Sequence, residues 1–364
     1  MKMKSLFFTC LLFTSVHFCQ ISSLTENYDA RAIAMGESFV ANPNGLFSPD
    51  NNPATLIGQK GVSLFYNRRN INWFSGFDDF VFYSFGTAFK TPIGNFGLLY
   101  KRYDYGEIRI SSPESPMGDG LMEAYYYTAI LSYANNITDD LTAGVNVKIH
   151  GSNVNVINGE YSEEEGSTPV IFDAGLLYHI NGFINQTYTK DDVHFGASVT
   201  NYGTDYKPGT VTSTGAGLVK LNVVKVPRFL KLGFAYELDV KSKTETELFN
   251  FLFTGEYNYL LNSYRPDSEK DSWGVGMQAS FFNILSLRIG GVANPNSNIY
   301  GNKGVLSVRY GFEINFPFEL IGFKYPVSLA FDYSVIPLSQ VDYFFNKQKK
   351  NLDAFNISVN FLLK

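Results

Sequence analysis

Residues 352–364 read LDAFNISVNFLLK. Successive side chains of an extended strand point to opposite faces. Phe355, Ile357, Val359, Phe361 and Leu363 therefore share one face, and Asn356, Ser358 and Asn360 share the other. An apolar/polar ribbon of about ten residues, tilted, suits the hydrocarbon thickness of a bilayer. A soluble edge strand can show this alternation once, so the deciding question is whether the rest of the chain repeats it.

It does. In 229–240, Leu230, Leu232, Phe234, Tyr236 and Leu238 oppose Lys231, Gly233, Ala235, Glu237 and Asp239. In 304–316, Leu306, Val308, Tyr310, Phe312, Ile314 and Phe316 oppose Ser307, Arg309, Gly311, Glu313 and Asn315. The same pattern holds in 327–335 and 141–149, and further strands are expected to begin near Val62, Phe80, Phe96, Ala124, Val170, Val193, Leu248, Ser272 and Leu285. With the C-terminal ribbon the number is about fourteen. The strands are longer than the usual five or six residues of a soluble sheet. Their second face is small and polar, as a lumen would be. Tyr100, Tyr103, Tyr125, Tyr178, Tyr257, Tyr259 and Tyr333 recur at strand ends, where interfacial girdles sit. The expected fold is all-β, a transmembrane antiparallel barrel over 61–364, whose closure removes the exposed edges of so large a sheet.

The connections fit that reading. Links at 90–94, 135–140, 241–246 and near Asn283 are short, while those at 111–121, 153–168, 203–226 and 337–351 are long. Stretches 182–191 and 317–325 are longer than a short-side turn needs. On this phase the long loops, including acidic 160–165, face the cell exterior.

Composition agrees. The 364 residues hold 33 Phe and 24 Tyr but only 2 Trp, and charged residues make up 17%, below the roughly 25% of soluble domains. Mean hydropathy is −0.07, as expected for strands apolar on one face only. Residues 1–20, with Lys2 and Lys4 ahead of an apolar run, read as a secretory signal peptide cleaved between 19 and 23. Export is expected to be Sec-dependent, ending in a Gram-negative-type outer membrane. Cys10 and Cys19 both lie in or beside this leader, which removes disulfides and cysteine-based zinc sites from the mature chain. The acidic balance, without a basic stripe, argues against nucleic acid.

Little in the chain suggests catalysis. His150, His179 and His194 all fall on polar faces but on separate strands, without metal-ligand spacing, and read as scattered lumenal groups. No GxSxG, HExxH, P-loop or Rossmann fingerprint is present. We expect no enzyme activity, no catalytic residue, no metal and no cofactor.

Residues 24–60 lack period-2 alternation. A short helix is expected within 29–41, with Ala32, Met35 and Phe39 on one side, followed by Asn/Pro/Gly-rich coil. Irregular backbone of this kind does not lie exposed in lipid. It forms either a periplasmic tail or a plug.

Here a resemblance enters. ARAIAMGESFVA followed by NNPATL resembles the N-terminal region of FadL-like outer-membrane proteins, and its spacing is most similar to the PorV/PorQ branch. The resemblance implies fourteen strands with 24–60 folded inside the barrel as a hatch. By that resemblance Asn52, Pro53 and Ala54 would belong to the hatch, and Arg31 and Gly36 to its short helix. Glu37 stands where the family commonly has Gly; Asn42, Asn44 and Gly45 replace acidic residues; Thr55 replaces the Gly after Pro-Ala. Two functions are implied. PorV/PorQ-type proteins serve type IX secretion-related export or surface attachment, with secreted cargo or secretion-system proteins as partners of the outer loops. FadL-type proteins passively transport hydrophobic small molecules. The second expects an apolar pocket lined by Met35, Phe39, Leu46 and Phe47. Outer-membrane lipid is a partner in either case, and Phe355, Ile357, Val359 and Phe361 would form the barrel-insertion signal.

Overall fold

A computed structural model of the chain describes residues 24, 27, 29–43, 49–70, 81–110, 120–156, 161–164, 166–207, 210–213, 223, 225–243, 247–262, 271–293, 306–323, 325–337 and 351–362. The expected leader, Leu46, Phe47, Asn44, Gly45, Leu363 and most of the long-loop residues lie outside these.

A short helix, α1 (Ala30–Ala34), and a 3-10 turn, Pro53–Gly58, precede the first strand. The strands follow as β1 (Gly61–Asn70), β2 (Val81–Thr91), β3 (Gly94–Ile110), β4 (Gly120–Asn136) and β5 (Leu141–Val156). Next come β6 (Tyr161–Glu164), β7 (Val170–Gln186), β8 (Thr189–Gly203), β9 (Thr210–Ser213), β10 (Phe229–Lys241) and β11 (Glu247–Leu260). The chain ends with β12 (Ser272–Phe281), β13 (Leu285–Ala293), β14 (Leu306–Pro317), β15 (Val327–Ile336) and β16 (Leu352–Leu362). All except β6 and β9 pair with their neighbours into one closed antiparallel barrel of fourteen strands.

The opening ribbon closes the ring. β16 pairs with β15 on one side and with β1 on the other, with Val62 opposite Phe361 and Tyr66 opposite Ile357. Its apolar residues point outward, Ile357 and Phe361 being exposed, while Asn356 and Ser358 are buried toward the lumen. The same phase runs round the wall: Leu64 and Tyr66 face out and Ser63 and Asn67 face in, and Val145, Val147 and Ile149 face out where Asn146, Lys148 and His150 face in. In water so apolar an outer face would aggregate; against lipid it is the stable arrangement.

One rim carries the barrel's two chain ends and the short turns, and the other carries the long connections. The two stretches that looked too long for turns are explained. β7 and β8 run on to a tight link at Thr187 and Tyr188, with a register shift between Asn181 and Asn185 absorbing the extra residues. The 317–325 link holds a 3-10 turn, Phe318–Ile321, closed by the left-handed Gly322. On the long-loop rim, β6 and β9 pair into a separate two-stranded sheet.

One expected girdle residue is corrected. Tyr103 points into the lumen, 3% exposed. It is an odd number of residues from Tyr100, which faces out, so alternation forbids both from sharing a face.

Candidate functional site

The N-terminal segment lies against the inward face of the barrel. α1 packs on β13, β14, β15 and β16, and the 3-10 turn packs on β3, β4, β5 and β7. What holds it there is a set of individual contacts.

Asp29 caps α1, its carboxylate accepting from the Arg31 and Ala32 backbone N–H groups at 3.0 and 3.1 Å. Burial pushes its carboxyl up to about 6, although those N–H donors and the Arg31 guanidinium pull the other way. Five residues cannot sustain a helix alone, and α1 ends in a reversal at Gly36 and Glu37, both with positive φ (65° and 59°). Gly36 has a second reason to be glycine. A Cβ there would collide with the Val275 carbonyl and the Gly291 backbone. From the wall side, Cβ atoms on Gly274, Gly276 or Gly290 would collide with Met35 or Gly36. Segment and wall thus meet backbone to backbone, an approach only glycine permits. The contact continues round the ring, where Gly196 and Gly233 abut Val40, Gly175 abuts Asn52, and Gly144 abuts Pro53 and Ala54.

Polar staples complete the seal. Glu37 forms an ion pair with Arg309 of β14. Burial alone would raise its carboxyl, but the Arg309 guanidinium outweighs this and holds it below the usual range. Glu256 of β11 accepts from the Phe39 and Val40 N–H groups at 2.7 and 2.8 Å. Ser38 Oγ and Thr254 Oγ1 lie 2.6 Å apart. Asn52 is fully buried and donates from Nδ2 to the Val40 and Leu176 carbonyls at 2.6 and 3.0 Å, while its Oδ1 accepts from the Ala54 N–H at 3.0 Å. Thr55 donates to the Asn52 carbonyl at 2.7 Å, so the hydroxyl adds a bond where the resembled pattern has glycine. Asp50 pairs with Lys101 and, at 2.8 Å, with Lys148, which also reaches Asp173 at 2.8 Å. Despite burial, the two ammonium groups hold Asp50 well below the carboxylate range. Asn95 donates to the carbonyls of Leu56, Ile57 and Gln59 at 2.9–3.1 Å.

The expected site residues can now be placed. Arg31, Gly36, Asn52, Pro53 and Ala54 all sit in this seal, Arg31 lying 5.8 Å over the Phe39 ring. Met35 and Phe39 come together in one apolar cluster with Ala32, Val40, Ala54, Leu177 and Leu252. Among the described residues both side chains are packed against protein, 0–1% exposed, while the other two expected lining residues, Leu46 and Phe47, lie outside the described residues. A small space of about 20 Å³, bounded by Asp29, Asp50, Asn67, Ser84 and Lys101 together with Phe65 and Leu99, lies nearby. The histidines are less scattered than expected, since His179 and His194 face each other across the β7–β8 ladder with ring centres 5.0 Å apart. Asp192 Oδ1 lies 2.8 Å from His179 Nε2. Among the described residues no group of three or more such side chains is arranged to hold a metal ion.

Sequence reasoning missed a packed cluster of buried aromatic side chains between the segment and the long-loop rim. Phe82, Tyr103, Tyr105, Tyr126 and Tyr206 pack with Leu24, Ile171 and Val226. Phe82 meets Tyr103 edge-on at 3.9 Å, and Tyr105 meets Tyr126 at 5.6 Å. His150 lies 5.1 Å from Tyr206 and bonds Thr128 through Nδ1 at 3.0 Å. The missed signal was the inward phase of Phe82, Tyr103, Tyr105 and Tyr126, large aromatics on faces that otherwise carry small polar residues.

With this geometry in hand, the likeness to solved structures is informative. The Ralstonia pickettii toluene transporter TbuX matches with a TM-score of 0.50 at 14% identity, over 92% of this chain and 99% of that one. The Pseudomonas putida toluene transporter TodX matches at 0.49 and 14%, over 93% and 100%. A Pseudomonas aeruginosa FadL homologue matches at 0.47 and 11%, over 93% and 99%. No family model matches the sequence, and no curated protein does. At such identity the likeness concerns fold alone: this chain shares with TbuX a closed antiparallel β-barrel, here of fourteen strands.

Proposed function

We propose that the protein is an outer-membrane barrel for passive passage of hydrophobic small molecules, with residues 24–60 as its hatch and the long loops outward. The observation that carries this reading is the buried, packed aromatic cluster of Phe82, Tyr103, Tyr105, Tyr126 and Tyr206 on the long-loop side of the N-terminal segment. When these rings part, their faces offer an apolar solute a water-poor binding surface that a general porin lumen lacks. TbuX, which shares this fold, is described as a toluene transporter, which supports an aromatic cargo here. On this reading passage requires the N-terminal segment to shift, and polar contacts to the wall are suited to that because they can be exchanged for water.

The test is uptake of a labelled monoaromatic by cells that do or do not carry the protein. Expression should raise uptake severalfold, and Tyr126→Ala, which opens a gap in the cluster, should lower it without loss of folded barrel. Uptake that is equal with and without the protein, for aromatic and aliphatic solutes alike, would sink this reading.

A second reading, in which the long loops bind secreted cargo or secretion-system proteins, rests on the PorV/PorQ resemblance and on one observation, the β6–β9 sheet that stands outside the barrel. Deleting 161–213 would remove barrel strands as well, so the usable test replaces 161–164 and 210–213 by Gly/Ser. Export of surface proteins should then fall if this reading holds, with monoaromatic uptake unchanged.

A further inference from the structure

On the lipid-facing wall, the described parts of β1 and β2 end before that of β3. Val81, the first described residue of β2, pairs with Asp104, yet β3 continues to Ile110, paired among the described residues with β4 alone. At this step the β3 register shifts, Gly106 takes a positive φ of 65°, and its N–H turns to the Asp104 side chain at 3.0 Å. The result is an outward-facing groove of about 560 Å³ lined by Tyr66, Arg68, Val81, Tyr83, Asp104 and Glu107.

Two arginines lie on this face, and they differ. Arg102 is satisfied within the protein, 2.6 Å from Asp104 and 3.7 Å over the Tyr125 ring. Arg68 stands between Phe355 of β16 and Tyr83 of β2, exposed, with no ion pair or hydrogen bond to any described residue. A guanidinium on a bilayer-facing wall is costly near the midplane and tolerable only at headgroup level, where an anion can meet it. The ring of Tyr66, Tyr83, Tyr100 and Tyr125 marks that level. Asp104 is already taken by Arg102 and Gly106, which leaves the exposed Glu107 to accept from a hydroxyl. Toward the short-turn rim the wall below is apolar, with Leu64, Phe85 and Leu98 each about half exposed.

We infer that this groove seats the phosphorylated sugar headgroup of an outer-leaflet glycolipid, with its phosphate on Arg68, a sugar hydroxyl on Glu107 and its acyl chains over Leu64, Phe85 and Leu98. Guanidinium is the side chain best shaped for a phosphate, through paired N–H donors. The inference rests on the outward orientation of the long loops and not on transport.

The experiment is native mass spectrometry of the full chain in a neutral detergent, titrated with a phosphorylated lipid A-type glycolipid, its dephosphorylated form and inorganic phosphate. The wild type should retain one glycolipid, about tenfold more tightly than the dephosphorylated form. Arg68→Gln should abolish that preference and Arg68→Lys should keep part of it. Lys90→Gln, at the opposite rim, should leave it unchanged. Equal retention by wild type and Arg68→Gln overturns the site, and so does an equal loss in Lys90→Gln. Displacement of the glycolipid by an equal concentration of inorganic phosphate overturns it as a lipid seat. Heat-shifted gel mobility checks that each variant is a folded barrel. Because binding is read without flux, a failure of the uptake experiment leaves this result interpretable.

Discussion

The outer wall and the N-terminal seal belong to one short polypeptide but are held by different physics. On the wall, Leu64, Val147, Ile149 and Ile357 need only be apolar and in phase, because lipid accepts any of them. In the seal, Gly36, Gly290, Asn52 and Glu37 each meet particular atoms, and a neighbouring residue type would not serve. A periodic surface tolerates exchange of its members, whereas a seal made of single contacts does not. The sharpest expectations therefore concern the seal.

The largest effect is expected at Asn52. Asn52→Ala removes three hydrogen bonds, two of them buried, that tie residues 40 and 54 to β7, and should weaken docking of the segment by roughly 2–4 kcal/mol. Hydrogen exchange of the amides in 39–58 reads this directly, while amides of β12 and β13 should be unaffected. Equal protection in wild type and variant would show that the staple is dispensable.

Next comes Gly290→Ala. Its Cβ would strike Gly36 and the Met35 backbone, and overpacking should cost about 1–3 kcal/mol. Here exchange should rise in 31–41 more than in 52–58, because the collision lies at the α1 end. Uniform change along the segment would argue that it moves as one rigid piece.

Acidity provides a third handle. Asp29 has its carboxyl raised to about 6 from an ordinary 3.8, so protonation favours the docked form. Docking should be weakest above pH 6 and strengthen as pH falls through 6 toward 4, by on the order of 2–3 kcal/mol. The charged neighbours acting on Asp29 are Arg31 and, from the wall, Arg288 of β13 and Asp332 of β15. Glu37 and Asp50 are held low by Arg309, Lys101 and Lys148, so their ion pairs persist through that window and are lost only at more acid pH. Asp29→Asn should flatten the profile between pH 4 and 7 when exchange in 29–41 is followed. A profile that keeps its slope in the variant assigns the titration elsewhere.

The smallest effect is expected on the wall. Val147→Leu or Ile149→Val should change thermal stability in lipid by less than about 0.5 kcal/mol. A loss comparable with that of Asn52→Ala would erase the contrast drawn above.

This contrast also explains what could be read beforehand. Barrel class, strand number and the closing role of 352–362 were legible because period-2 alternation repeats along the chain and the terminal ribbon shares it. The motif residues Arg31, Gly36, Asn52, Pro53 and Ala54 could be singled out, but not their partners. Nothing in 24–60 specifies that Glu37 meets Arg309 or that Asn95 collects three carbonyls, since these pairings exist only once the ring is closed. The glycines of β12 and β13 were visible as small residues on the polar face, yet their role depends on which segment lies against them. His179 and His194 could not be paired by counting from the turn, because the shift between Asn181 and Asn185 offsets the ladder. Tyr103 is different, as strict alternation from Tyr100 would have turned it inward. The aromatic cluster could then have been glimpsed from sequence.

The central claim is that passage requires the N-terminal segment to move within the barrel. Ser38 Oγ and Thr254 Oγ1, 2.6 Å apart, mark a place where two cysteines could join segment to wall, and both natural cysteines fall at or before residue 19. In cells carrying Ser38→Cys/Thr254→Cys, uptake of a labelled monoaromatic should fall on oxidation to the level of cells lacking the protein. A reductant should restore it. Undiminished uptake by a variant whose cross-link is verified by mass would contradict the account, because the segment would then be a fixed part of the wall.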